Sequence, residues 1–386
     1  MIPVARPWLG EAEAEAARRP LISGWVTQGP EVAAFEAEFA AAVGARYACA
    51  VSNCTVGLHL ALSAAGVGRG DDVVTVSHSF IATANSIRYL GARPVFVDVQ
   101  PGTFNMNPEL VEEALTARTR AILCVHQVGM PCDLAALAGI ARRRGLPLVE
   151  DAACAIGSEI LWEGGWERVG RPHGDVACFS FHPRKLVTAG EGGMLTTADE
   201  EWDRKFRLWR QHGMSVPDTV RHSLDRVVVE EYLELGFNYR MTDLQAAVGR
   251  TQLARLPAMI ERRRLMADRY AELLSGVPGL GLPEEPAWAR SNWQSFCVRL
   301  PAWCDQRQVM EAMLDAGVAT RRGIMCAHRE PAYGVEPWST GPSGLIESER
   351  AQDHCILLPL FHELLAEDQE AIADALRHAC AATAVP

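Results

Sequence analysis

The stretch from Leu148 to Gly193 sets the strongest limit on how this chain can fold. It opens with a short apolar run, Leu146, Leu148 and Val149, that ends in Glu150 and Asp151. Such a run fits a buried parallel strand that delivers a carboxylate at its C-terminal edge. A second buried strand is predicted from Val176 to Phe181, followed by His182-Pro183-Arg184-Lys185 and a glycine-rich turn.

The same grammar recurs upstream. Strands are predicted at Ala48–Val51, Asp72–Ser77, Pro94–Val97 and Arg120–Val125. Helical patterns separate them, at Pro30–Val43 (opened by Pro30), from Thr55 through Leu62, at Pro108–Ala117 and at Asp133–Arg143. Close alternation of this kind calls for an α/β fold with helices on both faces of the sheet. A long helix is expected over Leu256–Leu274, its Glu-Arg-Arg-Arg centre read as a solvated face. Beyond it the pattern mixes a strand at Gln294–Leu300, a helix at Gln306–Ala316, a short strand near Val318 and a final helix from Glu367 to about Ala381. The expected division is a large domain over 1–255 and a small C-terminal α+β domain over 256–386.

A net charge of −11 leaves no basic face for a nucleic acid, although a few local arginines can still hold an anion. The 11 cysteines contain no C-x-x-C pair, so neither a disulfide framework nor a zinc site is indicated, and no metal is expected. Reduced thiols and an N-terminus without a long apolar core imply a cytoplasmic location. The uncharged run from Tyr47 to Gly68 is broken by Ser52-Asn53-Cys54-Thr55, which favours strand, turn and buried helix over a membrane span.

A lysine just after one buried strand, with a carboxylate at the end of its neighbour, suits pyridoxal phosphate. The amine forms a Schiff base with the cofactor's aldehyde, and the carboxylate keeps the pyridine nitrogen protonated so that the ring accepts electrons. Spacing alone carries little weight, because aspartate at strand ends and lysine in polar turns are common. The literal residues carry more. EDAACAIGS at 150–158, FSFHPRK at 179–185, TAGEGGM at 188–194 and LGFNYRMTDLQAAVG at 235–249 closely resemble the DegT/DnrJ-type (StrS-like) aminotransferases. The resemblance runs from Ile2-Pro3 to about Tyr333.

That resemblance implies fold type I of the pyridoxal-phosphate (PLP) dependent transferases, the aspartate-aminotransferase architecture, with a mostly parallel seven-stranded sheet in the large domain. It assigns Lys185 to the Schiff base and the proton transfers, and Asp151 to the ring nitrogen. Thr55, Ser180 and Asn238 match residues that hold the cofactor phosphate, and Phe80 matches an aromatic stacked on the ring. Read without the resemblance, Thr55 is an ordinary residue at a helix start, Phe80 a core aromatic and Asn238 a turn residue.

Two positions depart from the family pattern: Cys54 stands where glycine is usual, and Cys154 where glutamine or histidine approaches the cofactor's phenolic oxygen. A thiol is a weak donor, which puts that last contact in doubt. The segment 161–175 is also longer and richer in tryptophan than usual, so that Trp162 and Trp166 read either as a substrate wall or as a solvent-covering hairpin. Arg184 takes no role from sequence. Arg321, Arg322 and His328 are open between an anion grip and plain solvation. The irregular segment from His212 to Glu234 is long enough to be functional.

The implied activity is transfer of an amino group from a donor, glutamate being usual in the family, to a nucleotide-linked keto sugar such as a 4-keto-6-deoxyhexose. A keto-cyclitol or another secondary-metabolite ketone is the alternative acceptor. A sugar dehydratase is disfavoured because Lys185 occupies the slot that is histidine there, and a non-enzymatic PLP-binding regulator because the cofactor set is complete. The family's asparagine at the Asn238 position serves the neighbouring subunit, which implies a homodimer with a shared active site.

Overall fold

Short apolar runs, each closed by a turn, form the strands of a computed structural model that describes residues 1–216 and 227–382. In chain order the first five are β1 (Tyr47–Val51), β2 (Asp72–Val76), β3 (Arg93–Val97), β4 (Thr119–Val125) and β5 (Leu148–Asp151). A hairpin follows, β6 (Glu159–Trp162) and β7 (Gly165–Arg168), then β8 (Val176–Ser180) and β9 (Gly193–Thr197). The C-terminal part adds β10 (Ala289–Arg290), β11 (Phe296–Arg299), β12 (Arg321–Arg322), β13 (Ser339–Thr340) and β14 (Cys355–Leu358).

The main sheet has eight strands in the order β1-β9-β8-β5-β4-β2-β3-β13. Seven come from residues 47–197; the eighth, β13, is a segment far along the chain that pairs in parallel with β3. β9 runs antiparallel to both of its neighbours, and the remaining pairs are parallel. Side chains alternate across the pleat. Ala50, Ile122, Leu148 and Phe179 pack on the side of helices Pro30–Val43 and Leu134–Arg144. Cys49, Leu123, Val149 and Cys178 pack on the side of helices Cys54–Ala64 and Glu200–Trp209.

A buried ion cluster fixes the edge near the site. Glu36 accepts from the Ala50 N–H at 2.9 Å and pairs with Arg207 at 2.7 Å and with Arg210. The two arginines also donate to the carbonyls of Ala48 (2.6 Å) and Ala50 (2.7 Å), tying β1 in place from its backbone. Burial by itself would raise the Glu36 carboxyl, but the two guanidiniums outweigh it and hold the group below the usual carboxylate range. Glu36→Gln should therefore cost about 3–5 kcal/mol, as expected for breaking a buried pair, read from urea unfolding at neutral pH. A depressed carboxyl stabilises fully above its unfolded value of about 4.3 and loses that contribution as pH falls through the folded value. The gap between wild type and variant should accordingly close in acid.

The long helix differs from expectation. It runs unbroken from Asp243 to Leu274 with Pro257 inside it. Pro257 is exposed, while Leu253, Leu256, Met259 and Ile260 on either side of it are buried. Packing of that face offsets the lost backbone hydrogen bond. The Arg262-Arg263-Arg264 run is not a solvated face either. Arg262 donates to the Leu364 carbonyl (2.7 Å), Arg263 to those of Trp293 (2.9 Å) and Gln294 (3.0 Å), and Arg264 to that of Ser291 (3.1 Å). A second core, from Met266 to Cys380, lies beyond this clasp and takes Ile2 from the other end of the chain. There Ile2 bonds Gly317 and Ala319, and the Leu360 N–H reaches the Val4 carbonyl.

Candidate active site

The residues singled out in the sequence gather at one edge of the main sheet. β5 ends at Asp151, β8 at Ser180, β1 at Val51, and β9 begins at Gly193. Val51 and Ser180 are both paired with Gly193 in register. Phe80 follows β2 at the same edge. In a mostly parallel sheet this is the edge where ligands collect.

Asp151 is buried, its Oδ2 accepting from the Thr83 hydroxyl at 2.7 Å and its Oδ1 from the Ala153 N–H at 3.2 Å. Thr83 is held in turn by Ser79 at 2.8 Å. Burial pushes the Asp151 carboxyl up, more than these bonds and the nearby Lys185 pull it down. An added positive partner would relieve that cost, and a protonated pyridine nitrogen is one. Neighbouring Glu150 points away and accepts from the Gly174 N–H at 2.8 Å and from His126 Nε2 at 3.1 Å. His126 Nδ1 accepts the Cys132 N–H at 2.9 Å, so this histidine is committed to structure behind the strand ends.

Lys185 is half-buried, with Nζ 3.0 Å from the Cys154 sulfur. Burial disfavours its ammonium, but the Cys154 sulfur and the Asp151 carboxylate outweigh this and raise it. The loop that carries it is clamped by a residue from the far part of the chain. Gln294 accepts from the Leu186 N–H at 2.9 Å and donates to the Arg184 carbonyl at 2.5 Å. Asn292 does the same on the other side, donating to the carbonyls of Cys154 and Ile156 at 2.8 Å each. Neither amide has a signature in the sequence; Gln294 reads as the first residue of a strand that the structure begins at Phe296.

Thr55 stands in the first turn of helix Cys54–Ala64. Asn53 caps that helix, its Oδ1 accepting from Val56 at 3.1 Å. The first-turn N–H groups and the dipole make the helix start a fit for a phosphate. Gly193 makes room for it. A Cβ there would lie 2.6 Å from the Asn53 carbonyl carbon and 2.7 Å from the Cys54 nitrogen. Cys54 itself is buried, its thiol directed at the Cys178 carbonyl at 3.5 Å. Phe80 is 62% exposed, an uncovered aromatic face beside the Asp151 cluster rather than a core residue. Asn238 is exposed, next to Tyr239, whose carbonyl accepts from Ser52 at 2.8 Å.

The tryptophan hairpin acts as a cover. The Trp162 ring packs on His173 at 4.7 Å, Trp166 lies under the Arg290 guanidinium at 3.8 Å, and Arg168 bonds the Ala42 carbonyl at 2.7 Å. Of the irregular segment from His212 to Glu234, residues 217–226 lie outside the described residues. Among the described residues no cluster of His, Cys, Asp or Glu is placed to hold a metal ion, and no helix is long and apolar enough to cross a membrane.

A buried carboxylate and a lysine at neighbouring strand ends, an open aromatic face and a helix start cleared by glycine fit one cofactor. This chain belongs to the DegT/DnrJ/EryC1/StrS aminotransferase family, which it matches over residues 7–377. It is a PLP-dependent aminotransferase of fold type I. It is similar to the aminotransferase TlmJ from Streptoalloteichus hindustanus, at 38% identity and a TM-score of 0.89, covering 99% of each chain. DesI, solved in the presence of its TDP-sugar product, is 32% identical with a TM-score of 0.86, covering 98% of this chain and 93% of DesI. The sugar aminotransferase Spr1654 from Streptococcus pneumoniae, in its PMP form, is 25% identical with a TM-score of 0.91, covering 99% of this chain and 100% of that one.

Proposed function

We propose that this enzyme moves an amino group from L-glutamate to a nucleotide-linked keto sugar, a 4-keto-6-deoxyhexose by preference. The observation that carries the reading is the pairing of Lys185 and Asp151 at one sheet edge, together with a relative that was solved with a TDP-sugar. PLP, when bound, supplies the aldehyde that takes up amino groups and a ring that accepts electrons. Asp151 holds the proton on the ring nitrogen. Lys185 Nζ, 3.0 Å from the Cys154 sulfur, would carry the proton between the carbon bearing the amino group and the cofactor's aldehyde carbon, on the far side of the shared nitrogen. Thr55, Ser180 and the start of helix Cys54–Ala64 hold the phosphate, and Phe80 covers one face of the ring. Cys154 takes the place beside the phenolic oxygen. Eleven free thiols suit a reducing compartment, and we place the enzyme in the cytoplasm on that ground.

The test has two parts. Glutamate should discharge the visible absorbance of the lysine-bound cofactor, and mass analysis of a panel of nucleotide-linked keto sugars incubated with glutamate should show one aminated product. A cofactor that glutamate leaves unchanged would refute the donor.

We also propose a homodimer in which Asn238 of one chain reaches the phosphate at Ser180 and Thr55 of the other. Support comes from the exposure of Asn238 and of apolar Val227, Val229, Leu233 and Leu235 just before it. A hydrogen bond to a charged group is worth about 1.5–3 kcal/mol, so Asn238→Ala should weaken cofactor retention about ten-fold or more. Mixing that variant with Lys185→Ala should restore activity as subunits exchange, because one site of the mixed dimer then carries neither defect. Demonstrated exchange without activity would assign Asn238 to its own chain's site.

A further inference from the structure

Of the side chains that the sequence left open, His328 is spent on Ser77 (2.7 Å) and Glu349 (3.1 Å), and Arg322 on Glu330 (2.9 Å). A stronger tie to the site comes from further back in the chain. Lys185 and Cys154 meet with 3.0 Å between Nζ and Sγ, and the loops that carry them are both held by one turn, Asn292-Trp293-Gln294, between β10 and β11. Gln294 brackets Lys185, bonding the Leu186 N–H on one side and the Arg184 carbonyl on the other. Asn292 Nδ2 donates to the carbonyls of Cys154 and Ile156, and its Oδ1 accepts the Gln294 N–H at 2.8 Å. The two clamps are therefore one hydrogen-bonded unit.

That unit is built at a cost. Trp293, between the two amides, has a φ of 51°, in the left-handed region that a bulky residue seldom enters. One nitrogen of Arg263 holds the carbonyls of Trp293 at 2.9 Å and Gln294 at 3.0 Å. Arg263 is buried and, among the described residues, pairs with no acid; burial alone pushes its guanidinium down, to about 10. On the other flank the Asn292 N–H bonds the Ser158 hydroxyl at 3.0 Å. Gly129 has to be glycine there, because a Cβ would run into Asn292 Oδ1 and lie 2.9 Å from the Gln294 nitrogen. A link that merely joined two strands would need neither a strained tryptophan nor a buried arginine spent on two carbonyls. What this conformation achieves is to aim residues 292 and 294 at two different loops. The reach of Lys185 Nζ, at the end of a flexible side chain, depends on where its backbone is held, and a displacement of about 1 Å can cost about 10²-fold in rate.

We propose that Gln294 and Asn292 are positioning residues for the transamination. Through the strained turn they fix the Lys185 and Cys154 backbones against each other, so that Nζ begins each proton transfer from one place. This rests on the aminotransferase reading and extends it from the group that moves the proton to the groups that aim it.

In Gln294→Ala and Asn292→Ala holoenzymes the maximal rate of the glutamate half-reaction should fall roughly 10–100-fold while half-saturation holds. Repeating Gln294→Ala in a Lys185→Ala background, with added ethylamine serving as the base, separates aiming from general damage. With no tethered amine to aim, the second substitution should cost nothing there. Formaldehyde treatment of the cofactor-free chain reads the geometry without turnover. Its single carbon joins an amine to a thiol that nearly touches it, with loss of water, and Cys154 alone of the 11 cysteines is not buried. Peptide mass should show a Lys185–Cys154 bridge in the wild type, forming about ten-fold more slowly in both variants because proximity sets its rate. Gln294→Glu, which still accepts from Leu186 but cannot donate to Arg184, is read in the same way if the alanine variant does not fold. The proposal is overturned if the variants keep the wild-type rate and bridge, or if Gln294→Ala costs the same factor with and without Lys185. Failure of the aminotransferase reading would appear instead as wild-type cofactor that no amino donor discharges, with the bridge result standing on its own.

Discussion

Lys185→Ala should fold, retain cofactor without a covalent link, and lose transamination almost completely. Among the described residues the side chain bonds the Cys154 sulfur alone, and its loop is held by Gln294 through backbone groups of Arg184 and Leu186. Removing the amine therefore leaves the loop clamped and Asp151 bonded to Thr83 and Ala153. Loss of a positioned acid-base group costs about 10²–10⁴-fold, and loss of the covalent role adds to it. The measurement is single-turnover conversion with glutamate, alongside the visible spectrum. Turnover near the wild-type rate would take Lys185 out of the reaction.

Asp151→Asn separates holding from activating. An amide retains one acceptor oxygen, so either Thr83 or Ala153 loses its partner, a cost of about 1–3 kcal/mol that a thermal melt should register. What the amide cannot do is balance a positive charge on the ring nitrogen. The rate of the glutamate half-reaction should fall by roughly 10²–10³-fold, the size typical of removing one preorganised electrostatic partner. Cofactor should stay bound throughout, because the lysine link and phosphate contacts are untouched. A half-reaction that keeps its speed with cofactor in place would mean another group carries the ring proton.

The part of the site that could be read from sequence is the part built locally. Asp151, Ser180 and Lys185 each sit at or just past the end of an apolar run, so the strand pattern and the motif around them place them together. Pro30 marks a helix start that holds in the structure, Pro30–Val43. The parts that escaped are products of distant pairing. Ser339–Thr340 and Ala289–Arg290 are strands of two residues, too short to show any period, and exist because β3 and β6 offer them edges. Asn292 and Gln294 act on backbone carbonyls and amides more than a hundred residues away, and no side-chain pattern announces a backbone partner. The arginine run at 262–264 shows the same limit from the other side. Charge predicts solvent, and only the geometry reveals the carbonyls of Leu364, Trp293, Gln294 and Ser291 waiting there. The helix expected over Leu256–Leu274 reaches back to Asp243 for a related reason, since packing on the face opposite Pro257 outweighs the proline's low helix propensity.

The exchange of small pieces between the two cores bears on how the chain comes apart. β13 belongs by sequence to the C-terminal part yet closes the open edge of β3, while Ile2 belongs to the N-terminal part yet packs on the second core and the Val4 carbonyl is held by Leu360. Each core thus lends the other a strip it needs, and the helix Asp243–Leu274 crosses between them without a joint. A chain cut at 255 would leave β3 with a bare row of backbone donors and acceptors, a template for sticking to other chains. The two halves are better regarded as interlocked than as tandem modules, and cooperativity is the property that follows: melting one core strips the edge of the other.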